Sequence, residues 1–104
     1  MTRFAFRLYV AGQTERSQAA EANLRALCES LLPGRYDLEV IDAEEHPGLA
    51  EEQRILATPT VLRLAPPPQR RVIGDLSDHR RAAYALGLPR APGQADGIQR
   101  GDQT

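Results

Sequence analysis

Few side chains in this sequence could do covalent or metal chemistry, and they are scattered. Cys28 is the only thiol and His46 and His79 the only imidazoles in 104 residues. A redox dithiol needs a Cys-x-x-Cys pair, and a lone redox cysteine needs a setting that stabilises its thiolate, such as a helix N-terminus. Cys28 instead recurs with Ala20, Leu24, Leu27 and Leu31 at helical spacing, which makes it a small buried hydrophobe. A single cysteine also excludes an intrachain disulfide. Neither histidine stands at ligand spacing to the other or to Cys28, so a metal site lacks its donor set. Glu44-Glu45 and Glu51-Glu52 read as solvated faces, not as an acid/base pair. Gly12 lies in a strand-to-helix turn, but Gly-x-Gly-x-x-Gly and Walker A patterns are absent, which leaves nucleotide binding with little support. Arg70-Arg71 could meet phosphate or an acidic protein surface, and the pair equally suits a solvated strand edge that resists aggregation. No catalytic residue and no cofactor or metal site is expected, and binding is the default function.

Composition narrows the partner. The net charge is −1, so no global field recruits nucleic acid or an anionic membrane. Every basic residue is arginine, a multi-donor group suited to protein contacts. No signal-peptide core or long apolar span is present, and the expected compartment is the cytoplasm. With only five aromatic residues, the core is expected to be aliphatic.

The elements that must position these residues follow from periodicity. Phe4, Phe6, Leu8 and Val10 alternate with Ala5, Arg7 and Tyr9, a strand with one strongly apolar face. Thr14 or Ser17 can cap a helix over 15–32 that Pro33-Gly34 ends. Tyr36–Asp42 is a second strand, so the long helix between them is a crossover of the kind that joins parallel neighbours. Pro47 suits the first turn of a short helix reaching about Arg54. In Ile55-Leu56-Ala57-Thr58-Pro59-Thr60-Val61-Leu62 the chain turns from helix into a third strand, Thr60–Leu64. Pro59 fixes its own φ and pushes Thr58 to an extended conformation, so the two form a structural hinge, a natural place for a cis peptide. Pro66-Pro67-Pro68 is a stiff loop, Arg70–Ile73 a fourth strand antiparallel to the third, and Ser77 the N-cap of a last helix ending at Gly87. The order is βαβαββα, a thioredoxin-like α/β single domain over 1–89, with a disordered C-terminal tail over 90–104. The first strand-to-helix junction, Ala11–Ser17, holds no sulfur where redox members of that fold carry it.

Several strings taken together closely resemble the KaiB family of small circadian-clock proteins. They are Leu8-Tyr9-Val10-Ala11-Gly12, Val40-Ile41-Asp42, Leu49-Ala50-Glu51-Glu52, Ile55-Leu56-Ala57-Thr58-Pro59-Thr60, and Pro66-Pro67-Pro68 followed by Arg70-Arg71-Val72-Ile73-Gly74-Asp75-Leu76-Ser77. The resemblance implies a non-enzymatic, cofactor-free regulator that binds KaiC, a hexameric RecA-type ATPase. In complete clocks such proteins also sequester KaiA and displace the kinase SasA, whose sensor domain is itself KaiB-like. The role implied is circadian timing or stress control through a KaiC-like ATPase. A docking module for a histidine kinase is the alternative, and a thiol-dependent redox protein using Cys28 stands further off.

The resemblance also implies two folds, the thioredoxin-like form and a tetrameric resting form, βαββααβ, whose rebuilt second half ends in a strand. That strand would come from Tyr84-Ala85-Leu86-Gly87-Leu88-Pro89-Arg90-Ala91, where alanine, glycine and proline all disfavour a ladder. The chain is therefore expected to rest in the thioredoxin-like form, as a monomer or small homo-oligomer. Partner-binding residues implied are Arg54, in the string where the family carries a basic residue near KaiC, then Arg70, Arg71 and Asp75. The edge strand 36–42 could accept a partner strand by backbone pairing, as the family does with KaiA.

Overall fold

Strand β1 (Phe4–Val10) is the axis of the molecule. It pairs in parallel with β2 (Tyr36–Asp42), from Phe4 opposite Tyr36 to Val10 opposite Asp42. On its other side it pairs antiparallel with β3 (Thr60–Ala65), and β3 pairs antiparallel with β4 (Arg70–Ile73). The sheet order is β2-β1-β3-β4, which leaves β2 and β4 as edges. Among the described residues there are three helices: α1 (Glu15–Leu31), α2 (Pro47–Glu52) and α3 (His79–Leu86). These facts come from a computed structural model that describes residues 2–89. The expected tail over 90–104 lies outside the described residues. The element order is the βαβαββα expected, not the alternative βαββααβ.

Alternation along the strands sends successive side chains to opposite faces, and each face meets different helices. On one face Phe4, Phe6, Leu8, Val10 and Val61 pack with Ala20, Leu24, Leu27 and Cys28 of α1 and Ala82 and Leu86 of α3. On the other, Tyr9 and Leu62 pack with Ile41 and with Ala50 of α2. The core is mostly aliphatic, as expected, but the reading of β1 as a strand with one apolar face needs correcting. Phe4 and Phe6 stack with ring centroids 6.1 Å apart, and Tyr9 on the opposite face is fully buried. A central strand covered on both sides has no solvent face for Tyr9 to occupy.

The helix ends also refine the sequence reading. Thr14 caps α1 by accepting from the Ser17 N–H at 3.1 Å. The N-cap of α3 is Asp78, which accepts from Arg81 N–H, and not Ser77. The Ser77 N–H donates to Asp75 Oδ1 at 3.1 Å, an Asx turn just before the cap. The chain enters β3 directly from the proline corner. Pro59 is buried, the Thr58–Pro59 bond is cis, and the Pro59 carbonyl accepts from Gly74 N–H at 2.9 Å. The corner is thus tied to the end of β4.

Candidate functional site

The short helix α2 ends in a Schellman motif, and Arg54 occupies its left-handed position. Ile55 N–H reaches back to Ala50 O at 2.9 Å and Arg54 N–H to Glu51 O at 3.0 Å. Ile55 and Ala50 share the smaller apolar cluster, the hydrophobic contact that usually accompanies such an ending. The φ of Arg54 is 54°, a conformation that glycine adopts freely and an arginine adopts at a cost. Arg71 holds the turn from β4. Its guanidinium donates to Arg54 O at 2.9 Å and to Gln53 O, placing a cation at the negative end of α2. Arg71 therefore positions Arg54, whose own side chain is exposed and makes no ion pair among the described residues.

Apolar side chains flank this turn. Leu56, two residues on, is 93% exposed. Ile73 shares the Arg71 side of β4 by alternation and is 61% exposed. A free guanidinium beside exposed aliphatic groups is the composition of an interface anchor.

Arg70 and Asp75 are not part of this arrangement. Adjacent strand residues face opposite ways, so Arg70 points to the α1/α3 side, close to Gly87. Asp75 lies in the loop after β4, where its carbonyl accepts from Asn23 Nδ2 at 2.8 Å. Bonds from Ser77 hold its carboxyl below the usual range, with Arg16 adding to the effect. Thr58 is half-buried and Pro59 buried. Of the four arginine and aspartate candidates, the fold brings together Arg54 and Arg71 only. Strand 36–42 is an edge, as expected, with Arg3–Asp37 and Arg7–Glu39 pairs bridging it to β1 and the residues just before.

Sequence reasoning missed Arg63. It is 4% exposed and lies over the Phe4 ring, 5.8 Å from the centroid. The available signal was a charge inside the apolar run Val61-Leu62-Arg63-Leu64 on the core-facing phase of the strand.

A scan of protein families matches the KaiB domain over residues 7–88. The chain belongs to the KaiB family. The circadian clock oscillator protein KaiB of Prochlorococcus marinus is 49% identical over 85 residues, covering 82% of this chain and 71% of that one. The circadian clock protein KaiB3 of a Synechocystis species is 41% identical over 88 residues, covering 85% and 86%. Among solved structures, the N-terminal domain of SasA from Synechococcus elongatus superposes with a TM-score of 0.66 at 22% identity, covering 95% of this chain and 91% of that domain. Mitochondrial thioredoxin 3 of Saccharomyces cerevisiae gives 0.66 at 16% identity, covering 85% and 81%. These likenesses establish a thioredoxin-like fold in a KaiB-family chain. No helix among the described residues is long and apolar enough to cross a membrane.

The thiol of this KaiB-family chain is poorly placed for the redox alternative. Cys28 is fully buried in the larger core, and burial pushes its pKa up to about 12, with Glu29 adding to the effect. We expect Ellman's reagent at pH 8 to react with Cys28 only as fast as the chain unfolds. Between about pH 9 and pH 12 the unfolded chain loses the thiol proton and the folded one keeps it, so Cys28 makes stability fall as pH rises. A Cys28→Ala variant should lack that part of the alkaline loss. Rapid modification of the native protein would refute the burial argument.

Proposed function

We propose that this chain is a non-enzymatic adaptor that docks on a KaiC-type hexameric ATPase through the end of α2 and the proline corner, and modulates that ATPase in timing or stress control. Arg54 is the anchor, Arg71 its support, and Thr58 and Pro59 set the angle of the surface. The observation that carries the reading is the left-handed backbone of Arg54. Glycine would relieve that strain, and a strained residue with a free, exposed charge marks a site kept for contact. Arg70 and Asp75 stand at the margin of this surface or behind it. Membership of a circadian-clock family supports the partner class. The resting state proposed is the thioredoxin-like form, as a monomer or small homo-oligomer.

Co-purification with a KaiC-like hexamer tests the proposal. Arg54→Glu keeps the backbone strain and reverses the charge, and should weaken binding by more than about tenfold, about 1.4 kcal/mol. Unchanged capture would remove Arg54 from the interface. The SasA-domain likeness supports a second reading, docking to a histidine kinase. Capture of a SasA-like kinase with no affinity for the hexamer would favour it. A KaiA-like protein adding a strand to the β2 edge is compatible with either reading.

A further inference from the structure

Arg70 is the candidate arginine that the α2 surface leaves unused, and it converges with Arg63 beside the end of α3. The point where a Gly87 Cβ would stand is 2.7 Å from Arg63 Nη1 and 3.1 Å from Arg70 Nε. Two guanidiniums thus flank one spot, and the absent side chain of Gly87 leaves it open. Gly87 and Arg70 are exposed and form the rim, while the buried Arg63 forms the floor.

Neither arginine has a counter-charge among the described residues. Burial lowers the Arg63 pKa and the like charge of Arg70 lowers it further, with no carboxylate acting in the opposite sense. The Arg63 Nε–H is buried without a partner, a condition that folded chains seldom leave unexplained. Carbonyls hold the rest of this guanidinium: Nη1 donates to Leu86 O at 2.9 Å and Nη2 to Pro68 O at 2.8 Å. These are dipoles, and they leave both positive charges uncancelled. The carbonyls that end α3 would repel an anion, but they are already engaged. Leu86 O faces Arg63, and Tyr84 O and Ala83 O accept from the Gly87 and Leu88 N–H groups.

We infer that the spot over Gly87 is an oxyanion site whose ligand is a phosphate group. Arg70 donates to the ligand from the rim, with a planar fork that matches its oxygens, and the Arg63 charge draws it from below. Charge decides between oxyanions. A phosphate group carries about −1.5 to −2 near neutral pH and balances two arginines, whereas a carboxylate balances one. A free phosphate and a phosphorylated side chain share this chemistry. The site lies on the α1/α3 side of the sheet, away from Arg54, and is independent of ATPase docking.

The probe is inorganic phosphate at about pH 7.5, titrated to about 20 mM into the ¹⁵N-labelled full chain at constant ionic strength. The expected result is a saturable shift of the Arg70, Gly87 and Leu88 amides, with acetate binding at least about fivefold more weakly. Arg70→Gln should weaken phosphate binding about tenfold or more, and Arg70→Lys, which keeps the charge but loses the fork, about threefold. Arg80→Gln removes the same charge at the start of α3 and should change nothing. Arg70 and Arg80 are exposed, so these variants keep the fold, which the remaining amides verify. Acetyl-Gly-phosphoserine-Gly-amide separates the two sources. Tighter binding than the free ion assigns the site to a phosphorylated side chain, and weaker binding assigns it to free phosphate. No shift at those amides would overturn the proposal, as would acetate binding as tightly as phosphate or shifts that survive Arg70→Gln. If Asp96→Asn with Asp102→Asn moves the same amides without phosphate, the chain's own carboxylates fill the site and the proposal fails. Arg54→Glu should leave phosphate binding unchanged, so this site and the ATPase-docking surface stand or fall separately.

Discussion

Gly87→Val is expected to lower stability by about 3 kcal/mol, which for a domain of this size lowers the melting temperature by roughly 15 °C. Two costs add. Gly87 has a φ of 68° at the end of α3, where its N–H bonds to Tyr84 O and Leu88 N–H to Ala83 O, the same Schellman ending that Arg54 makes on α2. A β-branched residue in that conformation costs about 1–3 kcal/mol. The second cost is steric. A Cβ at Gly87 would lie 2.7 Å from Arg63 Nη1 and 3.1 Å from Arg70 Nε. A side-chain tip usually gives way cheaply, but Arg63 is buried and fixed by carbonyls, so this one does not. Gly34 separates the two costs. Its φ is 70° and a Cβ there meets nothing within 4 Å. Gly34→Ala should therefore cost only the backbone strain, and Gly87→Ala measurably more. Chemical denaturation of the three variants reads this directly. Equal losses for the two alanines would show that the Arg63 crowding is relieved without cost.

Much of the fold was legible because its signals are local. The strand-helix-strand start, the long crossover, the proline corner and the buried Cys28 each follow from periodicity within one segment, and each appears in the structure. What was not legible depends on which elements become neighbours. The pattern of β1 gives one apolar face, and only the sheet order, with β1 in the middle, explains why Tyr9 is buried as well. Alternation alone separates Arg70 from Arg71, but which of them meets α2 depends on the register of β4 against β3. The left-handed turn at Arg54 carried no sequence signal, because the usual marker of a helix ending is glycine and an arginine stands there. The cap is Asp78 and not Ser77 because two good cap residues stand in succession, and local pattern does not choose between them.

Arg63 is the hardest residue to explain from the sequence and should be among the costliest to replace. Its guanidinium donates to Leu86 O at 2.9 Å and to Pro68 O at 2.8 Å, and it lies 3.5 Å from Gly87 O. It thereby joins the end of α3 to the loop between β3 and β4, and puts a cation at the negative end of that helix. No carboxylate pairs with it among the described residues, and its Nε is buried without a partner. Burial, followed by the charge of Arg70, lowers its pKa, the mark of a desolvation cost. The balance decides the sign of Arg63→Met, which keeps the stem over Phe4 and removes the charge. Methionine regains the desolvation cost but strands the buried Leu86 carbonyl, at about 1–3 kcal/mol, releases the Pro68 carbonyl to solvent, and loses the charge–dipole contact. We expect a net loss of about 2 kcal/mol, with faster amide hydrogen exchange at Gly87 and Leu88 than elsewhere in α3. Arg63→Lys should recover less than half, because one ammonium on a flexible stem cannot span Leu86 O and Pro68 O as a planar fork does. A methionine variant as stable as the parent would mean that desolvation outweighs the bonds. The attachment of α3 would then rest on its apolar contacts and the His79–Asn23 bond, and Gly87→Ala would cost less in the Arg63→Met background than in the parent.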